Sequence, residues 1–274
     1  MDQQRRNLLF GGSLVSAAIA GGLGPTMCAW SRMDRNAALR SSTAPRRPSG
    51  RPAPLLDEDI APVLARLDAW YAAHLDPDIY KFNPPASEAQ IDRLEALVGL
   101  ELPRSFRQLY RWHDGENDDR WGHIYGLPLL PLQQVARDWT DWKRVLAGFG
   151  GNRYPVPGAG WPLGAVDPAY VNPRRIPLTA DGSGNNIGLD FDPWPGGRFG
   201  QVIIYGRNED VKVVLAESLG GFLGWIAALL EGGNFRLRRE PGEIILREFR
   251  LRSPAADHFH EGARQLLGAP GPFL

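Results

Sequence analysis

The stretch from Arg174 to Pro193, RRIPLTADGSGNNIGLDFDP, constrains the fold more than any other part of this chain. Arg175-Ile176-Pro177-Leu178 alternates in the manner of a half-buried strand. Asp181-Gly182-Ser183-Gly184-Asn185-Asn186 is turn chemistry throughout, because glycine permits positive φ and Asp and Asn side chains bond the nearby backbone. Ile187, Leu189 and Phe191 then share one face of a second strand, with Gly188, Asp190 and Asp192 on the other. Pro193 ends it. A hairpin of this kind dictates the register of the sheet that contains it. Its turn is also the densest cluster of polar groups in the chain.

The chain has 274 residues, enough for one large domain or two small ones. With 31 basic and 31 acidic side chains the net charge is zero, which argues against generic nucleic-acid binding. Gly 32 and Pro 24 signal many loops. A single cysteine, Cys28, excludes an intrachain disulfide and a Cys-based zinc site.

Residues 1–30 read as an export signal. Arg5-Arg6 precede Asn7-Leu8-Leu9, and a mildly apolar run ends in Ala18-Ile19-Ala20, an A-x-A pattern. The run is short and rich in Gly, Ala and Ser, unlike a membrane span. A twin-arginine-like signal predicts an exported, periplasmic mature chain without stable membrane insertion; a cytoplasmic chain is the alternative. Met27 makes the approach to Cys28 a poor lipidation motif. Residues 31–54, which include SSTAPRRPSGRPAP, lack apolar periodicity and are expected to be a disordered linker.

From Asp57 the pattern turns helical, with Ile60, Val63, Leu64, Leu67, Trp70, Tyr71 and Leu75 on one stripe and Asp57 as the expected cap. Ser87 and Gln90 form a capping box before Ile91, Leu94, Leu97 and Val98. Gly99 stops that helix, and Leu102-Pro103 opens another through Tyr110. Trp121 to Leu127 suits a short strand, and Pro131 opens a helix with Val135, Trp139 and Trp142 inward. Residues 148–173 are expected to be a long loop. After the opening hairpin, Gly200 to Tyr205 and Val211 to Ala216 form a second one. Glu217 to Glu231 is a helix in which Gly220, Gly221 and Gly224 allow close approach of a neighbour, most simply the sheet. Glu243 to Leu251 suits an edge strand and Pro254 to Leu267 a last helix. Helices, then turn-linked strands, then a helix predict an α+β fold: a mainly antiparallel sheet of about four to six strands covered by helices.

The order of motifs resembles the SUKH superfamily, in the branch of the yeast-type cell-wall assembly regulators. Glu95, Leu102-Pro103 and Asp114-Gly115 occupy the places of that family's opening pattern. Trp161, Ile176-Pro177-Leu178, Asp181-Gly182-Ser183-Gly184-Asn185, Leu189 to Pro193, Gly200-Gln201-Val202 and Ala216 to Leu219 match its later elements. Ser218-Leu219 departs from the family's usual Ser-Phe. The resemblance implies a SUKH-like domain over 55–233, with residues 234–274 as a C-terminal strand and helix extension. It also implies a non-enzymatic protein-binding module: an immunity protein neutralising a toxin domain, or a cell-envelope regulator. It brings no cofactor and no catalytic residues.

Chemical alternatives rest on few residues. Asp181, Ser183, Asn185 and Asp190 offer hard oxygens, but the bidentate Glu of an EF-hand loop is missing and turn chemistry explains each residue, so no metal is expected. His113-Asp114 lacks a nucleophile, and His258 with His260 lacks the i, i+4 spacing of helical zinc ligands. The competing reading is an exported ligand-binding protein or hydrolase with a polar cleft running from Asp181 to Asp192. Aromatic anchors and a matching charge pattern favour protein interfaces. The candidate partner-binding residues are therefore Trp112, Asp114, Asp118, Asp119, Asp181, Asn185, Asp190 and Trp194.

Overall fold

The computed structural model describes residues 44–116, 122–239 and 247–273. The expected export signal, the start of the linker, Cys28, Asp118, Asp119 and Trp121 lie outside the described residues.

Four helices come first: α1 (Ala61–His74), α2 (Glu88–Val98), α3 (Arg104–Trp112) and α4 (Leu132–Gly148). Each starts where local chemistry supplies a beginning. At α2 the Gln90 carboxamide accepts from the Ser87 N–H at 2.9 Å, and Gly99 ends the helix at φ +66°. At α1 the Asp59 carboxylate, rather than Asp57, accepts from the Ala61 N–H at 3.0 Å.

The sheet follows as β1 (Ala159–Trp161), β2 (Arg175–Ala180), β3 (Asn185–Asp190), β4 (Gln201–Gly206) and β5 (Glu209–Ala216), in the order β1-β5-β4-β3-β2. Four strands form an antiparallel meander, and β1 adds to β5 in parallel. The expected α+β architecture is therefore present, with five strands. The segment expected to be only a loop contributes the fifth.

Both faces of the sheet are covered. Ile176, Leu178, Ile187, Leu189, Val202, Ile204 and Val213 join the main core beneath the helices. Ile203 and Tyr205 point the other way, against Ala165 and Val166 of the long connection after α4. That connection is pinned by charge. Asp167 is 1% exposed and accepts from the Tyr154 hydroxyl at 2.9 Å, the Ala169 N–H at 3.0 Å and the Arg153 guanidinium. Arg153 reaches on to Asp192 at 2.7 Å.

Helix α5 (Leu219–Glu231) packs on β4, β5 and α1. Ser218 caps it by accepting from the Gly221 N–H at 3.0 Å. Of its glycines, Gly220 meets the entry to α1: its N–H donates to Glu58 at 2.8 Å, and a Cβ there would lie 2.5 Å from that carboxylate, while Gly221 lies near Ala216 of the sheet and Gly224 has open space beside it.

Three further expectations change. Residues 122–127 form a tight turn, with bridges Gly122↔Gly126 and Ile124↔Leu127 in place of a strand. A Cβ at Gly122 would lie 1.8 Å from the Leu127 carbonyl carbon, which is why the chain can fold back on itself there. Residues 44–54 lie along the domain rather than apart from it, since Ala53 pairs with Arg198 and Arg47 reaches Asp192. The C-terminal part is built into the core. A second sheet of β6 (Arg236–Arg239) and β7 (Arg247–Arg250) precedes α6 (Phe259–Leu267), and Phe249, Leu251, Phe259 and Ala263 are buried in the main cluster.

Candidate protein-interaction surface

An open groove of about 650 Å³ runs between α4 and the turn of the opening hairpin. Arg137, Asp138 and Asp141 of α4 line one side, and Gly182, Ser183 and Gly184 of the turn line the other. Each wall is held by its own sequence. Asp114 places its Oδ1 2.7 Å from the Leu132 N–H, so a carboxylate sits at the positive end of α4. Across the groove, Asp181 organises the turn. Its Oδ1 accepts from the Ser183 N–H at 2.7 Å and the Asn185 N–H at 3.0 Å, and its Oδ2 accepts from Asn185 Nδ2 at 2.6 Å. Gly182 and Gly184, at φ +74° and +89°, take the left-handed backbone that this geometry requires. Asn185 Oδ1 accepts from the Asn208 N–H at 2.8 Å, which ties the two hairpin turns together.

The charges on this surface are mixed. Burial pushes the Asp138 carboxyl above its ordinary value, a rise aided by the neighbouring Asp141 charge and opposed by hydrogen bonds from Gln134 and Asn186. Gln134 Nε2 donates to it at 2.6 Å. Arg137 supplies the opposite charge one residue away. Such a surface offers hydrogen-bonding and charge-pairing groups to a partner chain.

The candidate residues read from the sequence divide by position. Trp112 is half-buried on Phe82 and His113, and its Nε1 donates to Asp68 at 2.8 Å. Asp114 caps α4, and Asp181 stands at the groove rim. Asn185, Asp190 and Trp194 are buried, so they leave no free surface. Asp190 is fully buried and accepts from Gln201 Nε2 at 3.1 Å and from the Asp192 N–H at 3.1 Å.

The polar cleft expected from Asp181 to Asp192 is not formed. Asp181 and Asp190 flank opposite ends of β3, a strand whose five steps span about 16 Å. Their oxygens are committed to turn and loop hydrogen bonds. Among the described residues, no group of three His, Cys, Asp or Glu side chains is placed to hold a metal ion.

Sequence reasoning missed two features. Asp138 and Asp141 lie at i, i+3 beside Arg137 on α4, in a groove that Trp142 also lines, and that polar spacing was the available signal. His123 is also buried, 2.9 Å from Glu116, under Phe82 and Tyr71. Nothing local marks a histidine for such a place.

The mainly antiparallel sheet, covered by helices on one face and a pinned loop on the other, is an α+β fold consistent with the SUKH superfamily. The SMI1 / KNR4 family (SUKH-1) model matches residues 85–225, and the chain belongs to that family. It is 29% identical over 233 residues to the cell wall assembly regulator SMI1 of Saccharomyces cerevisiae, a match covering 70% of this chain and 46% of that protein. It is 33% identical over 193 residues to the cell wall biosynthesis/cell cycle regulator smi1 of Schizosaccharomyces pombe, covering 66% and 38%. The glucan synthesis regulatory protein of Neurospora crassa is 27% identical over 227 residues, covering 71% and 42%. The chain thus spans less than half the length of these curated relatives.

These relatives overturn the expectation of export. They are fungal regulators, from cells that have no bacterial periplasm reached by twin-arginine translocation. All three are named as regulators rather than enzymes, and none is named as an immunity protein. Among the described residues, no helix is long and apolar enough to cross a membrane.

Proposed function

We propose that this chain is a non-catalytic regulator that binds another protein through the groove between α4 and the Asp181–Asn185 turn. The observation that carries the reading is the groove itself: it is open, bears both signs of charge, and its walls are locked by Asp114 and Asp181. The partner class is a component of cell-wall or envelope assembly, a reading supported by the names of the relatives. A toxin domain is the second partner class, supported only by the superfamily resemblance. Among the described residues, Trp112, Asp114 and Asp181 are the sequence-derived candidates that remain at least partly exposed, and Arg137 and Asp141 join them.

A photo-reactive residue at Ser183, with a control at the exposed Glu261 of α6, tests this in the native cells. A wall-assembly protein should crosslink from Ser183 and not from Glu261, and Arg137→Glu should abolish the adduct. A secreted toxin domain in that adduct would replace the wall reading with neutralisation. Equal adducts from both positions would overturn the groove assignment.

A further inference from the structure

We infer that Ser49 is a phosphorylation site, and that a phosphate there breaks the Arg47 anchor and so loosens the 44–54 strap on the domain. The inference stands apart from the groove reading and concerns a different surface. Ser49 is exposed and lies in Arg46-Arg47-Pro48-Ser49. No other serine or threonine of the chain has arginines both two and three residues before it. Two guanidinium groups at those positions are what the acidic substrate groove of a basophilic serine kinase reads by charge complementarity.

The same arginine that completes this pattern anchors the strap. Arg47 Nη1 donates to Asp192 Oδ1 at 3.1 Å, and Nη2 donates to the Pro193 carbonyl at 2.7 Å. Further along, the Ala53 N–H donates to the Gly197 carbonyl at 2.9 Å, the Phe199 N–H donates to Ala53 at 3.0 Å, and Arg198 Nη1 donates to the Pro54 carbonyl at 2.8 Å. Ser49 sits between the two anchors. Gly50, at φ +120° against Pro195, fixes the bend beside it.

The reaction is an ordinary phosphoryl transfer from ATP. The Ser49 Oγ attacks the γ-phosphorus, the bond to the β–γ bridging oxygen breaks, ADP leaves, and the hydroxyl proton passes to the kinase's catalytic carboxylate. The product places about two negative charges two residues from Arg47 and two from Arg51. It then competes with Asp192 for Arg47 and repels that carboxylate. Asp192 can give Arg47 up, because Arg153 Nη2 at 2.7 Å and Asn172 Nδ2 at 3.0 Å continue to hold it. Loss of the first anchor leaves the Ala53 anchor to hold the strap over Phe191 and Phe199.

The test uses the full chain, the catalytic subunit of cAMP-dependent protein kinase and MgATP. Mass spectrometry should find phosphate on Ser49, lost in Ser49→Ala. It should also be lost in Arg46→Ala, which spares the Arg47 anchor. Hydrogen exchange at the Ala53 and Phe199 amides should then quicken roughly fivefold, the effect of losing one exposed ion pair. Arg47→Ala without kinase should reproduce that quickening. An intact chain that takes no phosphate at Ser49, while a free peptide of residues 44–52 does, would overturn the site. Full phosphorylation with unchanged exchange, set against faster exchange in Arg47→Ala, would overturn the loosening.

Discussion

Glu116 and His123 meet inside the core, where His123 Nδ1 lies 2.9 Å from Glu116 Oε2. The other carboxylate oxygen accepts from the His123 N–H at 3.2 Å and the Leu129 N–H at 2.8 Å. The Glu116 side chain has no exposed surface, and Phe82 stacks on the imidazole at 3.7 Å. One carboxylate therefore accepts from two backbone N–H groups and pairs with an imidazole nitrogen.

Removing it strands both backbone donors and takes the partner from the His123 ring. Glu116→Ala should cost roughly 2–6 kcal/mol, because two buried backbone N–H donors lose their acceptor at about 1–3 kcal/mol each. Urea unfolding of the variant measures this directly. A loss under about 1 kcal/mol would show that the His123 and Leu129 N–H groups find other acceptors.

The strand pairing makes a second expectation. A Cβ at Gly188 would lie 2.3 Å from the Ile176 carbonyl oxygen on β2. That contact is with backbone, so relief requires the hairpin to spread. Gly188→Ala should destabilise by roughly 1–3 kcal/mol through overpacking. Gly148→Ala has nothing within 4 Å of the new Cβ and serves as the neutral comparison by thermal melting.

Asp190 and Asp192 respond to pH in opposite senses. Burial pushes the Asp192 carboxyl up, but hydrogen bonds from Arg153, Asn172 and Arg47 and the Arg153 charge outweigh it, leaving the group below 3.8. Its stabilisation is present above 3.8 and is lost as pH falls through the folded value. For Asp190 burial dominates over the Arg175 charge and the bonds from the Asp192 N–H and Gln201, so its pKa lies above 3.8. Its ionisation weakens the fold as pH rises from 3.8 through that value. Asp192→Asn should therefore lower the urea midpoint at neutral pH and lose that difference in acid. Asp190→Asn should not lower it at neutral pH. The reverse pattern would refute the assignment of the two groups.

The family match ends at residue 225, yet the core does not. Arg264 is 3% exposed and donates to Glu209, to the Val211 carbonyl at 2.8 Å and to the Pro270 carbonyl at 3.0 Å. Phe249 stacks on Tyr125 at 5.0 Å. A chain cut after Gly233 should lose near-UV circular dichroism and unfold without a sharp transition. Native-like cooperativity in the cut chain would show that residues 234–273 are an accessory.

The two hairpins were legible from local pattern. The strands expected around the Asp181 turn appear as Arg175–Ala180 and Asn185–Asp190, because alternation and turn residues are local properties. The capping box at Ser87 was readable for the same reason, and the helix expected from Glu217 starts two residues later, at Leu219. Strand β1 was not, since Ala159-Gly160-Trp161 has no alternation of its own and becomes a strand only beside Val211–Val213. The groove was half legible. Its turn wall stood out as a polar cluster, but the facing wall on α4 had no reason to be linked with it.

By itself, then, the sequence determined what short-range forces decide: helix starts, strand alternation, turn type and the order of elements that marks the family. The tertiary structure decided which polar groups border the open groove and which are consumed within the fold. Asp181 and Asp190 have the same side chain and flank the same strand. One binds its own turn at the groove rim, and the other is sealed beneath the 149–173 connection with Gln201. Burial is set by segments distant in sequence, so no local pattern at either aspartate could distinguish them. The hairpin turn thus remains part of the candidate surface, while the charge at the strand's far end belongs to the interior.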